Sequence, residues 1–272
     1  LLRKRGHFEE ATGFLDAARR TFEKLEDEEG VAQAYHSSGT LAAQQGQYEK
    51  AQTLYQQSLA LRQELDQPAF IAALLSNLAI IARFQGNLAE SRRLNEEALE
   101  IRRQVGDRRT IANSLNNLGN AVRNLGDLAQ ARSYLEEALQ LQREVGDRWA
   151  IANSLNNLGN VVRDQADFKT ARDFYVESLK INHEFGDQRA IAYVLEDMAG
   201  LAAAQQEASR ALQLVGAARA LRDLIGTPLS AVEQTQLDNR LTAVLDHAQS
   251  EKLLDQGNQL SLTEAIDFAL AS

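Results

Sequence analysis

Residues 111–120 read IANSLNNLGN, and the same ten letters return forty positions later at residues 151–160. Small residues recur at this interval along the chain, at Gly39, Ala79, Gly119, Gly159 and Ala199. Three further rows share the interval: Ala11, Ala51, Ser91, Ala131, Ala171 and Ala211; Gly6, Gly46, Gly86, Gly126, Ala166 and Gln206; and Val31, Ile71, Ile111, Ile151 and Ile191. Several rows at one period indicate a stacked array of supersecondary units.

The apolar spacing inside one unit is helical. One stripe of a first helix contains Leu115, Leu118, Gly119 and Val122, and the facing stripe of a second helix contains Ala131, Leu135 and Ala138. Small residues at Gly119 and Ala131 permit close approach of two antiparallel helices. Gly126 and Gly146 can adopt the positive φ that ends a helix, so each helix is predicted to have about 17 residues.

These residues give the unit its likeness to a known family. The seven stripe residues have the spacing of the tetratricopeptide repeat signature, with leucine where that family often has tryptophan, and the unit has forty residues in place of about 34. With the phrases NLGN and GDR, the chain resembles the long repeats of kinesin light chains, spindle-orientation adaptors and maltose-activator regulators. The resemblance implies an all-α fold, a right-handed α-solenoid of antiparallel helix pairs, whose first helices line a concave surface.

We predict the repeat solenoid over residues 1–226. A partial unit at residues 1–26 holds the end of one helix, a turn at Gly6 and a second helix from Phe8 to Leu25. Full units follow near residues 27–66, 67–106, 107–146, 147–186 and 187–226. Because the partial unit lacks most of its first helix and the chain has no initial Met, we expect a fragment of a longer protein.

The period stops after Gly226, so residues 227–272 are predicted to form a C-terminal helical cap. We expect a helix over about 231–248 that Ser230 caps, a short helix after Ser250, and a last helix that a capping box of Ser261 and Glu264 opens. Residues 215–230 and 260–270 resemble the end of bacterial regulators of the signal-transduction ATPase class, which carry LuxR-type, SARP-type or cyclase output modules. That resemblance implies an ATPase ahead of the repeats.

Composition excludes several functions. The chain has no cysteine and a net charge of −9, which exclude disulfides and thiolate sites and disfavour direct nucleic-acid binding. No apolar run has membrane-spanning length, and the four histidines lie far apart without metal-ligand spacing. No phosphate-binding loop occurs. We therefore expect a cytoplasmic protein with no catalytic residues, no cofactor and no metal.

The candidate site is a polar stripe on the first helices. Counted from Leu115 at about 100° per residue, four positions lie roughly 80–160° away from the packing face. They are Asn113, Asn116, Asn120 and Arg123, and the next unit repeats them as Asn153, Asn156, Asn160 and Arg163. Asparagine costs up to about 0.7 kcal/mol in a helix interior relative to alanine, so its recurrence indicates a role.

The same stripe changes along the array. One earlier unit has Ser76, Ile80 and Arg83, with Phe84 beside them, and the last unit has Tyr193 and Glu196. The functional interpretation is a graded ligand groove in which amides bind an extended peptide backbone and the row of Arg83, Arg123 and Arg163 binds carboxylates. In the alternative, the asparagines bridge neighbouring repeats, the arginines pair with acids such as Asp164, and Phe84 packs between repeats.

The leading hypothesis is a non-enzymatic protein- or peptide-binding domain. It would act as the ligand sensor of a larger bacterial signalling ATPase or transcription regulator, in contact with the preceding domains of its parent protein. Two alternatives stay open: a free-standing scaffold for protein complexes, and a repeat domain that regulates an attached cyclase or other enzyme.

Overall fold

The computed structural model describes residues 2–245 and 249–271, and these form helices and turns without a strand. The described helices contact each other in two compact units, Leu1–Gly126 and Asp127–Ser272. The predicted all-α class with consecutive packed helix pairs is confirmed.

The first unit contains six helices. They are α1 (Leu2–Lys24), α2 (Glu28–Gln44), α3 (Tyr48–Glu64), α4 (Pro68–Phe84), α5 (Leu88–Val105) and α6 (Arg108–Asn124). We call the first helix of each pair an A helix and the second a B helix, so that α2, α4 and α6 are A helices and α1, α3 and α5 are B helices. The starts of the A helices lie forty residues apart, as the sequence period predicts.

The prediction of a turn at Gly6 is wrong, because α1 runs unbroken from Leu2 to Lys24. A glycine inside a helix costs only about 1 kcal/mol relative to alanine. A helical course through Gly6 is therefore inexpensive.

The second unit contains eight helices among the described residues. They are α7 (Leu128–Val145), α8 (Arg148–Asp164), α9 (Phe168–Phe185), α10 (Gln188–Ala204), α11 (Ala208–Ile225), α12 (Ala231–Leu245), α13 (Ser250–Asn258) and α14 (Leu262–Leu270). Here α8 and α10 are A helices, and α7, α9 and α11 are B helices. The observed lengths of 17 or 18 residues for α2–α11 match the prediction.

The turns keep one backbone conformation even where the glycine is lost. Gly46, Gly86 and Gly126 have positive φ, and so do Ala166 at 62° and Gln206 at 63°, which occupy the same place in later repeats. Asp side chains then accept a hydrogen bond from the first turn of the next helix, as Asp127 does from the amide of Gln130 at 3.0 Å. Glycine is therefore not required for the turn at this place in the repeat.

Small residues of the A helices admit large side chains of the B helices. A Cβ placed on Gly39 would lie 2.8 Å from the Tyr55 ring, and one on Gly159 would lie 2.5 Å from the Tyr175 ring. Both tyrosines are at least 97% buried. The row of small residues therefore supports the pairing of A and B helices within a repeat.

The C-terminal segment packs on the last repeats of the second unit. α12 contacts α10 and α11, α13 contacts α11, and α14 contacts α9 and α11. The backbones of α11 and α13 meet so closely that a Cβ on Gly216 would lie 2.1 Å from the carbonyl oxygen of Leu254. The capping box of Ser261 and Glu264 is confirmed. Of the helix predicted over 231–248, residues 246–248 lie outside the described residues, and the boundary at Gly226 stays a prediction.

Candidate ligand groove

In the first unit, the predicted stripe on α4 mixes buried and accessible side chains. Ser76 is buried, donates to the carbonyl of Ala72 at 3.1 Å and accepts from Arg102 at 3.0 Å, whereas Ile80 is 40% exposed. The half-buried ring of Phe84 stacks on Tyr48 of the preceding repeat, with centroids 5.0 Å apart. The guanidinium of Arg83 lies 4.5 Å from the Phe84 ring. For Phe84 the geometry matches the packing alternative.

On α6, the four stripe residues differ in exposure. Asn113 is exposed, Asn116 is buried, and Asn120 and Arg123 are half-buried. Only part of this stripe therefore offers surface to a ligand. A contact of any of these residues with a ligand stays a prediction.

On α8, the repeated stripe shows the same division more strongly. Asn153 is exposed and Asn156 half-buried, but Asn160 and Arg163 are only 6% and 7% exposed. The amide nitrogens of Asn156 and Asn160 both donate to one carboxylate oxygen of Asp197 on α10, each at 2.8 Å. These two amides thus bridge neighbouring repeats, as the alternative interpretation states.

Two arginines complete the contacts of Asp197. Arg240 of α12 donates to the other carboxylate oxygen, and Arg163 of α8 lies 3.9 Å from the same oxygen. Arg163 also donates to Asp164 at 3.0 Å, so it pairs with the acid named in the alternative. We call the set of Asn156, Asn160, Arg163, Asp197 and Arg240 the Asp197 cluster. It links three helices, α8, α10 and α12.

The electrostatics of the cluster favour an ionised Asp197. Burial alone would raise the pKa of this carboxyl group. The guanidiniums of Arg240 and Arg163 outweigh that effect, with help from the two amides, and hold the pKa of Asp197 below its ordinary value. The carboxylate is therefore a charged acceptor throughout the neutral pH range.

Gly200 on α10 makes room for the arginines. A Cβ at Gly200 would lie 3.2 Å from a terminal nitrogen of Arg163 and 3.5 Å from the Arg240 side chain. A larger residue at this place in the stripe would compete for space with the Arg163 guanidinium and with the aliphatic part of Arg240.

Of the predicted residues on α10, Glu196 forms a second ion pair and Tyr193 lies beside it. Glu196 accepts two hydrogen bonds from Arg222 of α11, one of them at 2.8 Å, and both side chains are 5% exposed. The Arg222 guanidinium lies 4.2 Å from the Tyr193 ring. Burial and the neighbouring carboxylate of Glu233 raise the pKa of Tyr193, whose hydroxyl donates to Glu233 at 2.9 Å.

α12 contributes Arg240 to the Asp197 cluster and Glu233 to the contacts of Tyr193, because it occupies the place of a further A helix. The forty-residue spacing would start such a helix at residue 228, and α12 starts at Ala231. Its buried Leu237, Leu241 and Val244 join the hydrophobic core, while Glu233 and Arg240 reach the polar stripe of α10. The packing therefore continues for one helix beyond the point where the period of small residues stops.

Sequence reasoning missed a second polar row, on the B helices. Its members lie forty residues apart near the ends of these helices and are Arg62, Arg102, Gln142, Asn182 and Arg222. Arg102 reaches Ser76 and the carbonyl of Ala72 on α4, and Arg222 reaches Glu196 on α10. The shared interval was the available signal, although charged residues near helix ends ordinarily indicate solvent exposure.

The described part of the chain contains no group of three or more His, Asp or Glu side chains placed to hold a metal ion. Over the same described residues, no helix has both the length and the apolar character required to cross a membrane.

Comparisons with known proteins give a family. The model of the tetratricopeptide repeat family matches residues 1–64, 70–144 and 110–184. A search of curated proteins gives no match. Similar solved structures include BtubC (BKLC) from P. vanneervenii, with 20% identity over 82% of this chain and 94% of that chain at a TM-score of 0.65.

Two other solved structures are similar to this chain. One is a Rap protein complexed with Competence and Sporulation Factor, with 16% identity over 89% of this chain and 72% of that chain at a TM-score of 0.62. The other is a Signal Transduction ATPase with Numerous Domains (STAND) protein with a tetratricopeptide repeat sensor from Pyrococcus horikoshii. It has 17% identity over 94% of this chain and 39% of that chain, at a TM-score of 0.64.

At such identities the structures support the fold alone. Because the family model matches well over half of the residues, the chain belongs to the tetratricopeptide repeat family.

Proposed function

We propose that this chain binds a protein or peptide along the polar stripe of its A helices and acts as the ligand sensor of a larger signalling ATPase or transcription regulator. The observation that supports the proposal is the set of accessible polar side chains on the stripe, Asn153 and Asn156 on α8 and Tyr193 on α10, next to the Asp197 cluster that joins these helices. A tetratricopeptide repeat needs apolar and small residues to stack, and Leu155 and Leu158 of α8 supply these on its packing face. The polar stripe is additional to that requirement.

Burial of the charged groups in the cluster carries a cost in the free energy of folding. Buried ion pairs are often no better than apolar packing of the same volume, because both charges lose their hydration. Within the described residues, Asn156 Oδ1, a terminal nitrogen of Arg163 and Arg240 Nε are buried without a hydrogen-bond partner. Each such group costs free energy, and we propose that the cluster serves to fix the arrangement of α8, α10 and α12.

The rim of the cluster supplies the surface that a ligand would contact. Asn153 is exposed one turn before Asn156, and Tyr193 and Asn156 are half-buried. In the first unit Asn113, Ile80, Arg83 and Arg123 are likewise exposed or half-buried. We propose that these accessible residues touch the ligand and that Asn160, Arg163 and Glu196 hold the helices that present them.

The sensor role is supported by two relatives of the fold. The Rap protein is in complex with Competence and Sporulation Factor, and the STAND protein has a tetratricopeptide repeat sensor. This chain corresponds to 39% of the STAND chain, which fits a sensor joined to other domains. We propose contact with preceding domains of the parent protein, in the cytoplasm, and no catalysis by this chain.

The proposal is tested by capture of partners from the source cell. Urea unfolding of the same variants separates a lost ligand contact from a loss of stability. Asn113→Arg with Asn153→Arg should abolish capture of the specific partner, because both side chains are exposed on A helices, and should leave the urea midpoint unchanged. Gln56→Arg with Gln57→Arg adds the same charge on the exposed face of α3 and should leave capture intact. Equal capture by all three proteins would contradict binding along the A-helix stripe.

A further inference from the structure

A cavity of about 180 Å³ lies between α1, α2 and α3 in the first unit. Its lining mixes apolar with polar side chains and includes Thr12 and Asp16 of α1, Ser38 and Leu41 of α2, and Lys50 and Leu54 of α3. All three helices belong to the described part of the chain. The space is open because some of these residues differ from those of the later repeats.

Ser38 stands where the later repeats have a long apolar side chain. Its counterparts are 1–7% exposed and are Leu78, Leu118, Leu158 and Met198, whereas Ser38 is half-buried. Leu41 is half-buried as well. The counterparts of Leu41 are at most 4% exposed and are Ile81, Ala121, Val161 and Leu201. A short polar side chain at one core position therefore leaves a neighbouring apolar side chain accessible.

The groove between α3 and α5, one repeat later, is narrowed by its own side chains. Gln85 at the end of α4 donates to Gln52 of α3 at 3.1 Å, and Leu78 is buried. Gln52 corresponds to Thr12, whose hydroxyl instead donates to the carbonyl of Phe8 in its own helix at 2.8 Å. The open space is therefore particular to the position between α1 and α3 and is not a feature of every repeat.

In the second unit a short helix occupies the equivalent groove. Thr12 and Lys50 correspond to Arg172 of α9 and Arg210 of α11, four repeats further along the chain. Both arginines donate to the carbonyl oxygen of Ala271 after α14, at 2.5 and 2.7 Å. Because α14 also contacts both α9 and α11, these two B helices and their arginines hold it in place.

The contact of α14 with this groove is apolar along one stripe. Ala265, Ile266 and Ala269 are at most 4% exposed and belong to the hydrophobic core of the second unit. The same core contains the residues that correspond to Leu41 and Leu54. The groove of the second unit therefore shows which kind of element fits between successive B helices.

We infer that the cavity between α1, α2 and α3, which we call the Ser38 groove, binds a short amphipathic helix of a partner protein, as the groove between α9 and α11 holds α14. The occupied groove of the second unit identifies this class of occupant. The lining of the Ser38 groove shares no residue with the polar stripe of the A helices, so the inference goes beyond the proposed function.

The partner helix is defined by the contacts of α14 and by two charges. It needs a stripe of small and branched apolar residues like that of α14. Its last carbonyl oxygens should accept hydrogen bonds from Lys50, which takes the place of Arg210, and a cation is favourable at this end of a helix. A basic residue of the partner should lie near Asp16, because Asp16 stands where α9 has the apolar Val176.

The experiment uses the helix that fills the equivalent groove. The probe is a fluorescein-labelled, hydrocarbon-stapled peptide with the sequence of residues 261–271, SLTEAIDFALA. Stapling removes the cost of ordering a short helix. Fluorescence anisotropy measures binding of this peptide to the whole 272-residue chain.

We expect saturable binding that Ser38→Leu weakens roughly tenfold or more, because the leucine fills the space as it does in later repeats. The same change should keep or raise the urea midpoint, since it fills a cavity with the residue of the other units. Asp16→Val should strengthen binding by about threefold or more, because it gives the groove the residue of the site that holds α14.

A matched pair of variants separates the role of Lys50 from the charge of α3. Lys50→Gln and Gln57→Glu alter the net charge of this helix by the same amount, and both side chains are exposed. Lys50→Gln should weaken peptide binding about threefold, because the carbonyl end of the peptide loses a cation. Gln57→Glu should leave the affinity within about twofold of that of the unaltered chain.

Three results would overturn the inference. The first is an absence of peptide binding. The second is binding that Ser38→Leu leaves unchanged, which would assign the peptide to another surface, such as the groove that α14 occupies. The third is a dimer of the unaltered chain in sedimentation analysis that Ser38→Leu converts to monomer, which would make a second copy of this chain the occupant.

Discussion

The two units join neighbouring A helices at the same place with different chemistry. In the first unit a ring nitrogen of His36 on α2 lies 2.9 Å from the Asn77 amide on α4. In the second unit Asn156 and Asp197 occupy the corresponding positions on α8 and α10 and are 2.8 Å apart. One contact is neutral and paired, and the other is the centre of a charged cluster with two arginines.

The comparison separates the part of this polar contact that both units share from the part that occurs only in the second unit. The bridge between A helices is a feature of the repeat itself, since the same two positions make it in both units. The charge is a local addition, because it requires Arg240 from α12 and the space above Gly200. The Asp197 cluster therefore combines the bridge that both units share with a contact to Arg240 of the C-terminal segment.

The largest effect is expected from removal of the charge at the centre of the cluster. Asp197→Ala would leave Arg163 and Arg240 without their shared carboxylate, and such a break in a buried pair costs about 3–5 kcal/mol. Asn77→Ala removes one neutral hydrogen bond in the first unit and should cost about 1 kcal/mol. Urea unfolding measures both, with the fluorescence of Trp149, the one tryptophan of the chain, as the reporter for the second unit. Equal losses would remove the distinction between the bridges.

A second variant tests whether the contact of the C-terminal segment with α11 contributes to the stability of the second unit. Gly216→Ala would drive a Cβ to 2.1 Å from the Leu254 carbonyl oxygen and should destabilise the unit by about 1–3 kcal/mol, with faster amide exchange in α13. Gly13→Ala on α1 meets nothing within 4 Å and should stabilise the first unit by up to about 1 kcal/mol. If α13 exchanged equally fast in both variants, the close contact of α11 and α13 would be in doubt.

A smaller effect is expected at the turns, which both units share. Ala166→Gly in the second unit should stabilise by about 1 kcal/mol, because Ala166 holds a positive φ of 62° that glycine adopts without strain. Gly86→Ala at the equivalent turn of the first unit should destabilise by a similar amount. A Cβ at Gly86 meets nothing within 4 Å, so only the backbone conformation is tested. Thermal unfolding measures both changes, and shifts of the same sign would contradict the shared turn.

The smallest effect is a difference in pH dependence. Burial, with the nearby Arg62, lowers the pKa of His36 below its ordinary value of 6.5. The unfolded chain then binds more protons than the folded one just below pH 6.5, so the first unit loses stability as pH falls through that window. Because the pKa of Asp197 is also lowered, from 3.8, the second unit should lose the contribution of Asp197 only below about that pH.

Amide exchange in α2 and α8 between pH 7 and pH 5 separates the two units. His36→Gln should remove the pH dependence in α2. Persistence of that dependence in the variant would assign it to other groups.

Much of the fold was predictable because the period acts through local chemistry. Gly126 and Gly146 predict turns, and both have positive φ. The helices α6, α7 and α8 begin and end next to these two glycines. The turn predicted at Gly6 is wrong, because α1 continues through this position and a place in the glycine row is therefore not sufficient to end a helix. Ala166 and Gln206 show the converse, since the turn persists there without glycine.

The candidate site was less predictable because its contacts join side chains a whole repeat apart. The stripe on α8 was found from helical phase alone, but the phase could not tell exposed Asn153 from buried Asn160. That difference depends on Asp197 and on Arg240, which lies in a segment without the repeat pattern. The row of Arg62, Arg102 and Arg222 was missed because burial of an arginine depends on its partner.

The most direct test of the account is a double-mutant cycle between α8 and α10 in urea unfolding. Asn160→Ala and Asp197→Ala should be coupled by about 1 kcal/mol or more, because each removes the same charge-assisted hydrogen bond. Asn153→Ala and Asp197→Ala should be additive within about 0.5 kcal/mol, because Asn153 is exposed. Additivity in the first cycle would contradict the claim that the buried amides of the stripe join the repeats through Asp197.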